Sequence, residues 1–263
     1  MRESWDRRIE RAVQLTTDDG AVAPLVAFYA ELLKLQKDVY VSLRREDGEG
    51  PTGTLEHDLP ALRPHGQALL RGVAATGPDA LSQEAARLLN GSEQEVERML
   101  LAYWRDSPDG QFFAKAILQP YAQWLSDAAV LPAGRPVTRA ENRCPFCGGA
   151  PQLAVLHVTN EPMAHGGGRT LVCATCLSSW PFKRLLCASC GEDDERKLAY
   201  FQTTAYRHLR IEACDSCRRY VKCVDLTRFG LAVPIVDEVA GAALDLWARD
   251  HGYQKIELNL VGL

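Results

Sequence analysis

Four C-x-x-C pairs crowd the second half of the chain: Cys144/Cys147, Cys173/Cys176, Cys187/Cys190 and Cys214/Cys217. A deprotonated cysteine sulfur is a soft donor that suits zinc or iron, and two thiols three positions apart can reach one ion from a single tight turn. Dithiol exchange is the rival use of the motif. It needs one pair at a helix start inside a thioredoxin-like βαβ pattern, which this sequence lacks. All nine cysteines lie at or beyond Cys144, and in a reducing compartment pairs of this kind are metal ligands rather than disulfides. A closed four-sulfur cage has no open coordination position. It can brace a small fold or carry one electron, but it cannot activate water or a carbonyl.

Partnership among the pairs follows from an internal repeat. Cys144 to Cys187 and Cys147 to Cys190 are each 43 positions; Cys173 to Cys214 and Cys176 to Cys217 are each 41. The first pair of each unit is followed by glycine, "CPFCGG" and "CASCGE", and the second follows a strand-like run, "TLVCATC" and "IEACDSC". The unit is knuckle, strand, loop, strand, knuckle, written twice. One cage is therefore expected from Cys144, Cys147, Cys173 and Cys176, and another from Cys187, Cys190, Cys214 and Cys217. Glycine after the second cysteine supplies the unusual backbone angles of the turn, whose amides can point at sulfur. The run "LSSWPFKRLL" (177–186) reads as a strand leaving one cage and entering the next.

These pairs need elements to hold them. Residues 1 to about 130 read as helical, a bundle of about five helices. Leu25, Phe28, Leu32, Leu35, Val39 and Leu43 form one apolar stripe. Asp58 and Pro60 mark a helix start, Ser92 with Glu95 a capping box, and Gly91 the end of the helix before it. Phe112 to Trp124 carries a last long helix. The acidic run 45–58 reads as an exposed, mobile loop and "LPAGRPV" (131–137) as a linker. Beyond it "QLAVLHV", "RTLVC", "KLAYFQTT", "HLRIEAC" and "RYVKCVDL" are strand-like, and a final helix runs from Pro234 to His251, with Gly252 as its left-handed terminator. The expected class is α+β: an all-α domain (1–136), a first four-cysteine rubredoxin-like or zinc-ribbon unit (137–184), a second (185–230), and a C-terminal helix and tail packed on them (231–263).

Bulk properties exclude several roles. The 263 residues carry a formal net charge of -4 and 46% hydrophobic residues, the balance of a globular protein without a whole-surface grip on nucleic acid. No apolar run is long enough to cross a bilayer. Arg7 and Arg8 form a twin-arginine pair, but Glu10 and Arg11 follow where an export signal is apolar, so a cytoplasmic protein is expected. From Cys144 to Cys223 there are ten Lys/Arg against seven Asp/Glu, a thin surplus for phosphate.

Lys183, Arg184, Arg218, Arg219 and Lys222 lie near the knuckles, where they would offset thiolate charge; solvated strand edges are the plain reading. Cys223 alternates with an exposed-looking Lys222 and reads as a buried, inert residue. Glu212 reads as a satisfied surface carboxylate. His157, His165 in "AHGGGRT" and His251 suggest no site, and no nucleophile elbow, H-E-x-x-H or dinucleotide-binding glycine motif is present.

Four segments, "CPFCGGAPQLAVL", "TLVCATCLSSWPFKRLLCASCGE", "IEACDSCRRYVKCVDL" and "VDEVAGAALDLWARDHGYQKIELNLVGL", resemble the FdhE family of formate dehydrogenase accessory proteins. The resemblance covers about residues 141–263, with all four pairs, Glu212, Gly252 and Asn259; over 1–140 it rests on helical character and position. It implies a cytoplasmic, non-enzymatic protein that assists maturation of a respiratory formate dehydrogenase by contacting its catalytic subunit before export through the twin-arginine pathway. It also implies metal bound by Cys144, Cys147, Cys173, Cys176, Cys187, Cys190, Cys214 and Cys217, as two ions, each in a four-cysteine site. Family members are associated with iron, and iron and zinc both remain open here. The alternatives are rubredoxin-like electron transfer to the dehydrogenase and zinc-ribbon binding of nucleic acid, which is not expected as a partner. A homodimer is compatible with every one of these readings.

Overall fold

The structure, a computed structural model, describes residues 4–16, 21–45, 50–106, 111–135, 140–158 and 168–263. Its N-terminal part holds six helices: α1 (Trp5–Leu15), α2 (Ala23–Arg45), α3 (Leu55–Thr76), α4 (Asp79–Asn90), α5 (Glu93–Asp106) and α6 (Phe112–Asp127). The apolar stripe of α2 packs as its spacing predicts, with Leu32, Val39 and Leu43 buried. Ser92 Oγ accepts from the Glu95 amide at 3.3 Å, half of the expected capping box; the Glu95 carboxylate instead pairs with Arg87 at 2.5 Å. Arg7 and Arg8 both lie in α1, where the Arg8 guanidinium is buried over the Trp5 ring and donates to Gln123 at 3.0 Å.

Two expectations fail at the acidic run. Helix α3 begins at Leu55, ahead of the expected start, and carries Pro60 and Pro64 inside it. Asp58 does not cap the helix. Its carboxylate accepts the Thr52 amide at 3.0 Å and the Tyr121 hydroxyl at 2.7 Å, a buried tie between loop and core. The loop end is accordingly not exposed: Pro51, Gly53 and Leu55 are buried. The rest of that expectation, 46–49, lies outside the described residues, as do 136–137 of the linker and His165 with Gly166 and Gly167.

Helix α6 is buried nearly all round, as a helix with apolar residues on every side must be. It packs on α2, α3 and α5 and also reaches the second half of the chain. That half is one sheet. Its strands are β1 (Pro151–His157), β2 (Gly168–Cys173), β3 (Ser179–Pro181), β4 (Leu198–Gln202), β5 (Leu209–Cys214), β6 (Arg219–Asp225) and the two-residue β7 (Gln254–Lys255). The order is β3-β2-β1-β6-β5-β4, with β7 on β6. Each repeat is an antiparallel ribbon, and the two are fused by a parallel seam, Leu153 opposite Lys222 through Leu156 opposite Asp225. The run 177–186 is strand only over β3 and otherwise turn and coil.

The final helix is two, α7 (Pro234–Ala240) and α8 (Ala242–Asp250), broken at Gly241. A Cβ there would sit 2.6 Å from Leu209 Cδ1, so glycine permits the close approach of β5 and interrupts the helix in doing so. Gly252 has φ +75° and ends α8 as predicted.

Lys222 is not a surface residue; its side chain is 0% exposed. Lys222 lies with Tyr220 on the face of β6 that α7 and α8 cover, and every residue of this central strand after Arg219 is buried, so period-two alternation does not separate inside from outside. Lys222 and Lys255 meet Glu238 and Asp245 in a buried cluster: Lys222 Nζ lies 3.0 Å from Glu238 Oε1, and Lys255 Nζ 3.2 Å from Asp245 Oδ1. Asn259 donates to Glu238 at 3.0 Å and the Tyr220 hydroxyl to Asp245 at 2.8 Å. Burial pushes the Glu238 carboxyl up, but the two ammonium groups outweigh it and hold the carboxyl low. The cluster pins α7, α8 and the tail to the sheet. No helix among the described residues is long and apolar enough to cross a membrane.

Candidate metal centres

All four C-x-x-C pairs fold into the same turn. The residue after the second cysteine is left-handed in each: Gly148 (φ 70°), Leu177 (56°), Gly191 (76°) and Arg218 (56°). Its amide donates back to the carbonyl of the first cysteine, at 2.9 Å for Gly148 and Arg218, 3.1 Å for Gly191 and 3.2 Å for Leu177. Glycine meets this requirement without strain in two knuckles; leucine and arginine accept it in the other two. The turn aims amides at sulfur, Thr175 N at Cys173 Sγ and Ser189 N at Cys187 Sγ, both 3.3 Å. Such donors favour the thiolate.

The turns bring the thiols together in two groups of four. Cys144, Cys147, Cys173 and Cys176 form one, Cys187, Cys190, Cys214 and Cys217 the other, with all sulfurs of a group within 4.8 Å of one another. A tetrahedron with metal–sulfur bonds of about 2.3 Å has sulfur–sulfur edges of about 3.8 Å. In the second group Cys187 to Cys217 and Cys190 to Cys214 are each 3.8 Å; in the first, three pairs span 3.4–3.6 Å. Donor type, number and spacing fit one zinc or iron ion per group, and each group can hold one. Burial pushes the Cys187 thiol up to about 12 against the amides of Cys190 and Ser189, so an ion must displace protons and binds more tightly as pH rises.

Surroundings differ sharply. In the first cage every cysteine is buried. Arg135 clamps it to the helices, donating to Cys147 O and Trp104 O at 2.9 Å each while its guanidinium lies over the Trp104 ring. Gln119 of α6 donates to Ala174 O inside the second knuckle at 3.0 Å, and Ser126 meets Ser178 at 2.9 Å. A Cβ on Gly149 would sit 2.8 Å from Cys173 Sγ, so the backbone there presses on the sulfurs.

In the second cage Cys190 is exposed and Cys217 half-buried. Its knuckles are tied by the Glu192 carboxylate, which takes the Ser216 hydroxyl, the Asp194 amide and Lys197; these hold its carboxyl down to about 2. Arg218 stacks on Tyr253, 3.9 Å from its centroid, and donates to His251 O, fastening the cage to the end of α8. Asn142 donates to Ser189 O at 2.6 Å and links the two cages directly.

Of the other residues singled out in the sequence, Cys223 is buried beside the Glu212–Arg210 pair, and burial raises its thiol well above the ordinary range. Glu212 is half-buried rather than a surface group, bridging Arg169 (2.6 Å) and Arg210 (2.5 Å). His157 ends β1, and His251 stacks on Trp247. Arg135, Gln119 and Asn142 have no marker in the sequence, because what they do depends on which backbone carbonyl lies opposite.

Comparison with known proteins agrees with this architecture. The family model described as FdhE, C-terminal domain, matches residues 185–261. A protein FdhE homolog of Aquifex aeolicus is 26% identical over 248 residues, 90% of this chain and 86% of the relative. One of Haemophilus influenzae strain Rd is 30% identical over 192 residues, 69% and 61% of the two chains. The crystal structure of the FdhE protein from Pseudomonas aeruginosa superimposes with a TM-score of 0.73 at 26% identity, covering 99% of this chain and 97% of that one.

Proposed function

We propose that the chain, similar to FdhE proteins along its length, is a member of that family and from that premise a cytoplasmic accessory factor in the maturation of a respiratory formate dehydrogenase. It binds the dehydrogenase's catalytic subunit and catalyses no reaction itself. Each cage takes one ion, iron or zinc, with Cys144, Cys147, Cys173 and Cys176 as ligands of the first and Cys187, Cys190, Cys214 and Cys217 of the second. The carrying observation is the two closed four-sulfur groups inside a fold that superimposes on an FdhE crystal structure over 99% of this chain. A bound ion supplies a four-point cross-link and, where it is iron, a one-electron couple. The chain's own part is to hold the sulfurs at tetrahedral spacing, to stabilise thiolate with knuckle amides, and to present a surface braced by both cages.

Co-purification tests the client. From cells making the dehydrogenase, the catalytic subunit should be enriched on the native protein over a Cys187→Ser/Cys190→Ser control; equal recovery overturns the reading. Metal analysis with a visible spectrum of anaerobically prepared protein separates coloured iron from colourless zinc. Electron transfer to the dehydrogenase is the second reading, favoured by one observation: Cys190 brings a ligand of the second cage to solvent. A reversible one-electron wave lost in Cys190→Ser would support it.

A further inference from the structure

We propose that a cleft beside the second cage docks an extended, acidic segment of a protein partner, one that sets an Asp or Glu next to an apolar side chain. The cleft lies on the face of the sheet opposite the one that packs on α7 and α8. Strand alternation puts Leu198 and Tyr200 of β4, Arg210 and Glu212 of β5, and Arg219 of β6 on that face. Leu185, from the segment between the cages, forms the facing wall of a hollow of about 230 Å³. That is below the ~300–1,000 Å³ of pockets that enclose drug-sized ligands; it suits side chains of a chain lying across it.

Charge and polarity select the occupant. Four arginines line the cleft, Arg169, Arg184, Arg210 and Arg219, against the carboxylate of Glu212 and the two cage sulfurs of Cys187 and Cys214. Glu212 is already shared by Arg169 and Arg210. Arg219 is exposed and has no carboxylate partner among the described residues. A chain of net charge -4 thus carries a local surplus of positive charge here, which attracts and orients a carboxylate. Leu185 and Tyr200 are 56% and 66% exposed, and an inorganic anion would leave both wet. Nucleic acid is disfavoured too: Tyr200 is the single aromatic residue of the lining, and its ring is occupied by the Arg210 guanidinium, 5.6 Å from its centroid. Arginine and tyrosine around an apolar floor are instead the residues that anchor protein interfaces. β4 also ends the sheet order, so its outer edge can pair with an extended main chain.

The inference rests on the client reading only for the partner's identity, not for the chemistry of the cleft. Its probe is a fluorescein-labelled, end-blocked octapeptide, Asp-Leu-Leu-Asp repeated twice, titrated by anisotropy into the metal-loaded full chain. Binding should weaken at least ~tenfold in Arg219→Glu, at least ~tenfold when lysine replaces aspartate in the peptide, and severalfold when salt is raised, as charge complementarity requires. Tyr200→Ala, also at the surface, should cost ~threefold or more through lost apolar contact. Circular dichroism and metal content confirm that both variants are folded. No binding to the native chain, equal binding of the lysine peptide, an unchanged affinity in Arg219→Glu, or preferential Arg219-dependent binding of an oligothymidylate strand each overturns the proposal. Peptide binding without dehydrogenase co-purification would sink the client and leave the cleft; co-purification without peptide binding would do the reverse.

Discussion

The two cages are built from one turn used four times, yet they occupy opposite situations. The first is sealed between ribbon and helices, with Arg135, Gln119 and Ser126 fastening its knuckles to the helical part. The second hangs from the C-terminal helix by Arg218 and keeps Cys190 in water. Duplication supplied the same ligands twice; what packs over them decided whether a cage became a rivet or a surface feature. A metal site is thus not structural or reactive by its ligand set alone, since burial and anchoring set how readily it opens.

Breaking each cage in turn gives the largest effect. Cys173→Ser in the first should lose one ion and more than ~5 kcal/mol of stability, a fraction of the ~10–16 kcal/mol that structural zinc supplies to small peptides. Cys190→Ser in the second should lose one ion yet unfold cooperatively within ~3 kcal/mol of the native chain, the common range for single substitutions. Denaturant melts with metal analysis read both; equal losses would erase the distinction. A chelator tests the same contrast kinetically. The native protein should release one ion at least ~tenfold faster than the other, because access requires local opening only at the sealed cage, and Cys190→Ser should lack the fast phase.

Arg135→Ala isolates the clamp. It removes two hydrogen bonds from a charged donor and should cost about 2 kcal/mol, with faster chelation from the first cage and an unchanged rate from the second. Acid separates both cages from the buried cluster of the tail. Glu238 is held below its unfolded value, down to about 2. Its contribution is therefore complete above the ordinary glutamate range and is lost as pH falls toward that value. Thiolates take up protons at higher pH than this, so an acid titration should show metal release first and loosening of the tail afterwards, the latter followed by near-ultraviolet circular dichroism.

How far the sequence carries the reading depends on whether a feature is local. A C-x-x-C turn is written in six residues, and the repeat distances pair the turns, so the grouping of the eight cysteines was legible in advance. So was the stripe on α2, where buried positions recur at helical spacing. Lys222 was misread because alternation marks a half-buried strand, whereas β6 is buried along nearly its whole length and Lys222 faces Glu238 and Asp245 of the C-terminal helices. Asp58 was misread because an acid before a proline resembles a cap; its partner is Tyr121, 63 positions on. A single helix over Pro234 to His251 overlooks the break at Gly241, since nothing nearby in sequence reports that Leu209 needs the space.

The parallel seam between β1 and β6 also sets what can be cut apart. A fragment beginning after residue 184 would keep the second knuckle pair and the tail, with β7 still on Arg219 and Tyr220, but leave Lys222 to Asp225 of β6 without their neighbour. The interior of the sheet would become a sticky rim, ready to recruit any strand it meets. Each repeat thus borrows part of its sheet from the other.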